Sequence, residues 1–250
     1  MNIFNTLEQE SFDSPPVFSS AERINFFFAP LMFSDLMESM RTPTNKVCFI
    51  VAAGYFKARR RFFGRQFRQA DIEFVAAQIG VKSCDVHPTA YSYETFARHQ
   101  RLILNHFGCS PFDDIAKSFT VNEIRMMVRV QFRPKLVLLE VIELLTNRKI
   151  ALPSYNTLAD LVVAAINSYQ QELGAIINAR LTESQRSKLD SLLQKHVKTG
   201  NDESRRYSIT FLKKPFQSTK PSKIKVNLTD LETLLAFYLD LRPIIDLLAL

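Results

Sequence analysis

Six basic side chains fall between positions 57 and 68, and no acid interrupts them: Lys57, Arg59, Arg60, Arg61, Arg65 and Arg68. Phe56, Phe62, Phe63 and Phe67 interleave with them. A charge block this dense repels itself unless something negative lies against it. Phosphate is the usual counterpart, so the chemistry the block suggests is the gripping of a polyanion. The aromatic rings give the segment apolar surface to bury, which argues against a disordered tail. On a helix, Arg59, Arg60 and Arg61 would point about 100° apart. Most of them would then hold phosphate, and one could reach a guanine edge, adding about 1–3 kcal/mol of discrimination.

Arg125, Arg129 and Arg133 follow at a spacing of four, with Lys135 just beyond. That spacing puts the three arginines along one helix edge, and a helix-turn-helix arrangement would let such an edge lie along a DNA groove. Surface charges paired with Glu123 or Glu140 are the plainer reading. Met126, Met127, Val130 and Phe132 are assigned mainly to the core. Between Thr199 and Thr229 lies a third basic stretch that includes Arg205, Arg206, Lys213 and Lys214. Pro215, Ser218, Pro221 and Ser222 make it loop-like, and it reads equally as a linker or as a DNA clamp.

His99 and His106 are seven apart on one helix, whereas helical metal pairs want a spacing of four and a further ligand. No metal site is assigned. Asp113/Asp114 and Asp71/Glu73 suit helix starts, where negative charge meets the dipole. With no glycine-rich phosphate loop, GxSxG elbow or HExxH motif, the chain offers no catalytic residue and no cofactor site.

Helices must position these groups. The 250 residues are 46% hydrophobic and 23% charged, as in an ordinary globular protein, and hold only six glycines. A Leu/Ile/Phe/Ala bias favours an all-α fold. The net charge of +7 suits an acidic partner. Nothing resembles a signal peptide or the roughly 20 apolar residues of a membrane span. Cys48, Cys84 and Cys109 are odd in number and widely spaced, which reads as reduced thiols in the cytosol.

Residues 1–18 read as a flexible arm or an extended lead-in. Helices are expected near 20–28, 31–40, 45–61, 71–79, 92–107, 120–131, 134–146, 156–179 and 182–197, and a last one from about 230 that Pro243 interrupts. Ser19/Glu22, Thr120/Glu123, Thr182/Gln185 and Thr229/Glu232 have capping-box spacing. The organisation expected is an arm plus first helical module over 1–86, a second module over 87–200, and a basic loop with the start of a further helical element over 201–250. The apolar run at 244–250 reads either as folding back on this domain or, the preferred reading, as leading into more chain.

The order of motifs resembles the N-terminal region of the replicative transposases, TnpA, of the Tn-three transposon family. AERINFFFAP (21–30) comes first, then KVCFIVAAGYFKARRRFFG (46–64) and DIEFVAAQIGV (71–81). YSYETFARHQRLILNHFGCSPF (91–112), Arg133-Pro134, RKIALPS (148–154), LADLVVAAINS (158–168), SKLDSLL (187–193) and ITFLKKPFQSTKPSKI (209–224) follow in order. The resemblance covers roughly 18–245. It implies tandem helix-turn-helix-like modules that bind double-stranded DNA at the terminal inverted repeats of a transposable element. Arg98 and His99 fall on the family's Arg-His position, which implies phosphate contact. It also implies a bacterial, cytoplasmic and nucleoid-associated setting and a downstream catalytic domain in the same polypeptide. There a DDE carboxylate triad with two divalent metals performs transposition and DNA recombination. This chain itself would be no enzyme, and the reading leaves room for a homodimer on DNA. The block at 57–68 is more basic than is usual in the family, so base preference does not carry over. Two other readings stand beside this one: a helical RNA-binding or ribosome-associated protein, and a protein-interaction module that dimerises through its C-terminal apolar helix.

Overall fold

A computed structural model describes residues 3–27, 34–38, 40–193, 195–196, 206–207, 224, 228, 231–232, 234–239 and 242. The fold is all-α. Its helices are α1 (Thr6–Asp13), α2 (Ser20–Phe27), α3 (Ser34–Glu38), α4 (Pro43–Arg59), α5 (Gln69–Gln78), α6 (Tyr93–Phe107), α7 (Asp114–Val130), α8 (Pro134–Asn147), α9 (Tyr155–Arg180) and α10 (Glu183–Leu193). Among the described residues the only strands are β1 (Lys195–His196) and β2 (Arg206–Tyr207), an antiparallel pair. The chain divides into two compact units, Met1–Tyr169 and Gln170–Leu250. The boundary expected near residue 86 falls inside the first unit, in a stretch of two short 3₁₀ turns (Ser83–Asp85 and Pro88–Ala90).

Helix α4 is the axis of the first unit. Thr42 caps it by accepting from Asn45 N–H, and Pro43 fills a first-turn position where no amide is needed. Every residue from Val47 to Phe56 is buried, so this helix is covered on all sides rather than along one apolar stripe. Helices α2, α5 and α6 pack around it. Gly54 lets α2 approach closely. A Cβ at that position would stand 2.6 Å from Phe27 Cε1 and 3.0 Å from the Phe26 carbonyl oxygen. Under the same packing, the Asp71 carboxylate is fully buried, held by Arg23 Nε at 2.7 Å and by the Tyr55 hydroxyl at 2.7 Å.

A second core forms where α7, α8 and α9 meet. Ile124, Val128, Val137, Leu138, Val141, Leu145, Leu158 and Val162 fill it. Three turns knit the two cores together. Ser110 N–H donates to Lys149 O, Ala151 N–H to Ser110 O, and Leu152 N–H to Arg60 O.

The flexible arm expected over 1–18 is a correction. Asn5 and Glu8 form a capping box that starts α1. The Tyr155 hydroxyl accepts from the amides of Ile3 and Phe4, and the Phe4 and Tyr155 rings stack at 5.3 Å. The expected start of α7 at Thr120 is also corrected. Asp113 caps the helix seven residues earlier, and the Thr120 hydroxyl, buried in mid-helix, donates to Ala116 O. Ser19/Glu22 and Thr182/Gln185 do form reciprocal caps; Thr229 lies outside the described residues. In the second unit, the described apolar residues Leu231, Leu235, Tyr238 and Leu239 are exposed. The 244–250 run lies outside the described residues.

Two substitutions test this packing by thermal or urea unfolding. Gly54→Ala forces a methyl group against Phe27 and should lower stability by about 1–3 kcal/mol. Asp71→Ala strands the Arg23 guanidinium and the Tyr55 hydroxyl and should cost about 3 kcal/mol or more. A wild-type midpoint in either variant would contradict the packing described.

Candidate nucleic-acid interface

The block at 57–68 does not form one outward face. Helix α4 ends at Arg59, because Arg60 takes a left-handed conformation (φ 54°). Its N–H donates to Phe56 O, and its carbonyl accepts from Leu152 N–H at 2.8 Å. The turn swings Arg61 inward, where it is only 7% exposed. Arg61 Nη1 donates to Asp13 Oδ1 at 2.5 Å and to Phe12 O at 2.8 Å. The guanidinium lies over the rings of Phe12 and Phe63 at 4.7 and 5.1 Å, and its buried Nε has no acceptor. Arg68 donates to the carbonyls of Pro15 and Pro16. Arg65 donates to Tyr91 O, and Lys57 to Asn25 O. Arg60 lies over Phe107, with Nη1 3.8 Å from Cys109 Sγ.

The sequence reading of Arg61 and Arg68 as outward DNA contacts is therefore corrected. Much of the negative charge facing this block belongs to the chain itself, as one carboxylate and several carbonyls. Lys57, Arg59 and Arg65 remain exposed. Phe63 is buried, and Phe62 and Phe67 pack against the core.

His99 is corrected for the same reason. It is 1% exposed, with Nδ1 2.7 Å from the Tyr91 hydroxyl and its ring edge-on to Phe49. A side chain so enclosed cannot touch phosphate. Burial first, and then the charge of Arg98, lower its pKa to about 4. Arg98 itself is exposed on α6. Arg101, one turn on and also exposed, was missed by the sequence reading although the three-residue spacing puts the two on one face.

The outward cations are clearest at the end of α7 and in the turn beyond it. Arg125 and Arg129 lie on α7, but that helix ends at Val130 and Arg133 is the N-cap of α8, so the single helix edge expected from the spacing of four is corrected. Arg125, Arg129 and Arg133 are all exposed, and their side chains make no hydrogen bond or ion pair among the described residues. Pairing with Glu123 or Glu140, the plainer expectation, does not occur. Lys135 differs: its Nζ is 2.5 Å from Glu8 Oε1, and that bond lowers the Glu8 pKa. The core assignment of Met126, Val130 and Phe132 is overturned. The buried face of α7 is Ala116, Thr120, Ile124 and Val128, and positions 126 and 130 lie about 200° away from the last two. Val130 is 88% exposed and Met126 61%. Met127 is partly buried, against the second core. Arg206 sits in β2, while Arg205, Lys213 and Lys214 lie outside the described residues.

Among the described residues, no group of three or more His, Cys, Asp or Glu side chains could hold a metal ion. Burial pushes the Cys48 thiol up to about 12, which leaves it inert. No described helix is long and apolar enough to cross a membrane.

Residues 3–165 match a family described as a domain of unknown function, DUF4158. No curated protein matches the chain.

The buried imidazole makes stability depend on pH. Between the unfolded pKa near 6.5 and the folded value near 4, the unfolded chain takes up a proton that the folded chain refuses. Stability is therefore lost as pH falls through this window. The His99 contribution should amount to about 2 kcal/mol between pH 7 and pH 5. Urea unfolding at both pH values, for wild type and His99→Gln, isolates it. An equal pH dependence in the two proteins would contradict the buried neutral state.

Proposed function

The chain belongs to the DUF4158 family, and from that premise and the surface just described we propose that it binds double-stranded DNA. It does so as the N-terminal part of a replicative transposase of the Tn-three type, at the terminal inverted repeats of the element. The observation that carries this reading is the row Arg125 and Arg129 on α7 followed by Arg133 at the N-cap of α8, three exposed cations without an acid partner among the described residues. Unneutralised guanidinium groups in a row suit a chain of phosphates, which release counterions on contact. Lys57, Arg59, Arg65, Arg98 and Arg101 add exposed positive charge in the same unit. The ordered motifs from AERINFFFAP to ITFLKKPFQSTKPSKI support the same assignment.

Duplex is favoured over single-stranded RNA. Stacking on unpaired bases needs open aromatic platforms, yet the rings interleaved in the basic block are buried or packed. In this reading the chain performs no chemistry. It positions a transposon end for a DDE catalytic domain further along the polypeptide, alone or as a homodimer on DNA, in the bacterial cytoplasm near the nucleoid.

The test is a salt titration of binding to a random-sequence duplex. Each lost phosphate contact flattens the slope of log affinity against log salt by about 0.9. Replacing Arg125, Arg129 and Arg133 together by Ala should therefore flatten it by about 3 units. An unchanged slope would remove the row from the interface. Binding as tight to single-stranded RNA as to duplex, at one fixed salt, would favour the RNA reading.

A further inference from the structure

Helix α7 turns an unusual face to solvent. Ile115, Phe119, Asn122, Met126, Arg129 and Val130 fall within an arc of about 100°, opposite the buried residues Ala116, Thr120, Ile124 and Val128. Of these six only Phe119 is half-buried, beneath the Arg148 guanidinium. Ile115, like Met126 and Val130, is well exposed. A solvated helix face is normally polar and mixed in charge. This one carries four large apolar side chains, three of them exposed, with an asparagine and an arginine, and the one acid at its border is the half-buried Glu123, about 20° beyond Val130. Arg125 and Arg129 occupy one flank of the arc, and Met126 and Val130 lie toward the other. By contrast, α8 exposes Glu140 and Glu143, which phosphate would repel.

We propose that α7 is the base-reading helix. This inference rests on the duplex reading above and assigns that site its specificity. The helix has 17 residues, about 25 Å, and the DNA major groove, about 12 Å wide, admits one α-helix. The arginine flank lies along phosphates. Asn122 presents its amide to the N6 and N7 edge of adenine, the pairing its donor and acceptor match. Met126 and Val130 pack on the C5-methyl groups of thymine, the apolar feature of the major groove. Charge complementarity selects DNA as the occupant of this face, because a purely apolar partner would leave the arginines facing nothing. The preferred site therefore contains A·T pairs read through both adenine edges and thymine methyls.

The experiment starts with selection of a randomised duplex pool on the purified 250-residue chain. The wild type should enrich a motif containing A·T pairs, and Asn122→Ala should relax preference at one of them. Each thymine of the motif is then replaced by uracil, which removes only the methyl group. At one or two positions wild-type affinity should fall about fourfold per methyl group. The M126S/V130S double variant should show no such loss, and because both residues are exposed its thermal midpoint should match wild type. Indifference of the wild type to every uracil, or an equal loss in the double variant, overturns the base-reading assignment while leaving duplex binding intact. Failure of the wild type to bind duplex at all overturns the duplex reading and this inference with it. A wild type that sediments as a dimer, with a monomeric double variant, would give the face to a second copy and overturn the proposal.

Discussion

One buried guanidinium ties the first unit together. Arg61 joins the turn after α4 to the end of α1 through Asp13, 48 residues earlier in the chain. The same Asp13 oxygen accepts from Tyr155 N–H, which opens α9. Three distant stretches thus converge on one ion pair sandwiched between aromatic rings. A buried cation without an acceptor is strongly unfavourable, so the arginine fixes where the acid must sit. The left-handed Arg60 belongs to the same arrangement. A non-glycine residue in that region is strained by about 1–2 kcal/mol, and the bond from Leu152 N–H to its carbonyl helps hold it there.

This constraint determines how the surface is charged. The cations between 57 and 68 divide by geometry rather than by sequence. Arg61 and Arg68 secure the N-terminal segment, Arg65 supports the Tyr91 turn, and Arg59 is left facing water. Around them the Asp71–Arg23–Tyr55 network anchors α5 to α2 and α4. With the densest charge partly turned inward, three unpaired cations among the described residues stand at Arg125 and Arg129 on α7 and Arg133 at the start of α8, in a part of the sequence that looks less basic. Function, in the reading proposed, follows from which charges the fold leaves unsatisfied.

Much of the helical order was legible in the sequence. Pro134 opens α8, Gly108 closes α6 in a left-handed conformation, and Ser19/Glu22 caps α2, each a local signal with a local cause. The Asn5/Glu8 box was equally local, but the prolines after it made the segment look irregular, and α1 was missed. What could not be read were matters of distant partnership. Nothing near Arg61 announces Asp13, and nothing near His99 announces that Tyr91 and Phe49 will enclose it. Met126 and Val130 misled for the opposite reason: apolar type suggested core, and only the phase set by Ile124 and Val128 reveals that they face outward.

The division of the basic block into an internal clamp and an external surface can be tested at Arg61 alone. Arg61→Met keeps apolar bulk between Phe12 and Phe63 and deletes the charge. Amide hydrogen exchange should then speed up in 6–13 and at the start of α9 together, while the salt dependence of duplex binding keeps its slope. Unchanged exchange in both segments, with a slope flattened by about 0.9, would place Arg61 on phosphate and contradict the clamp.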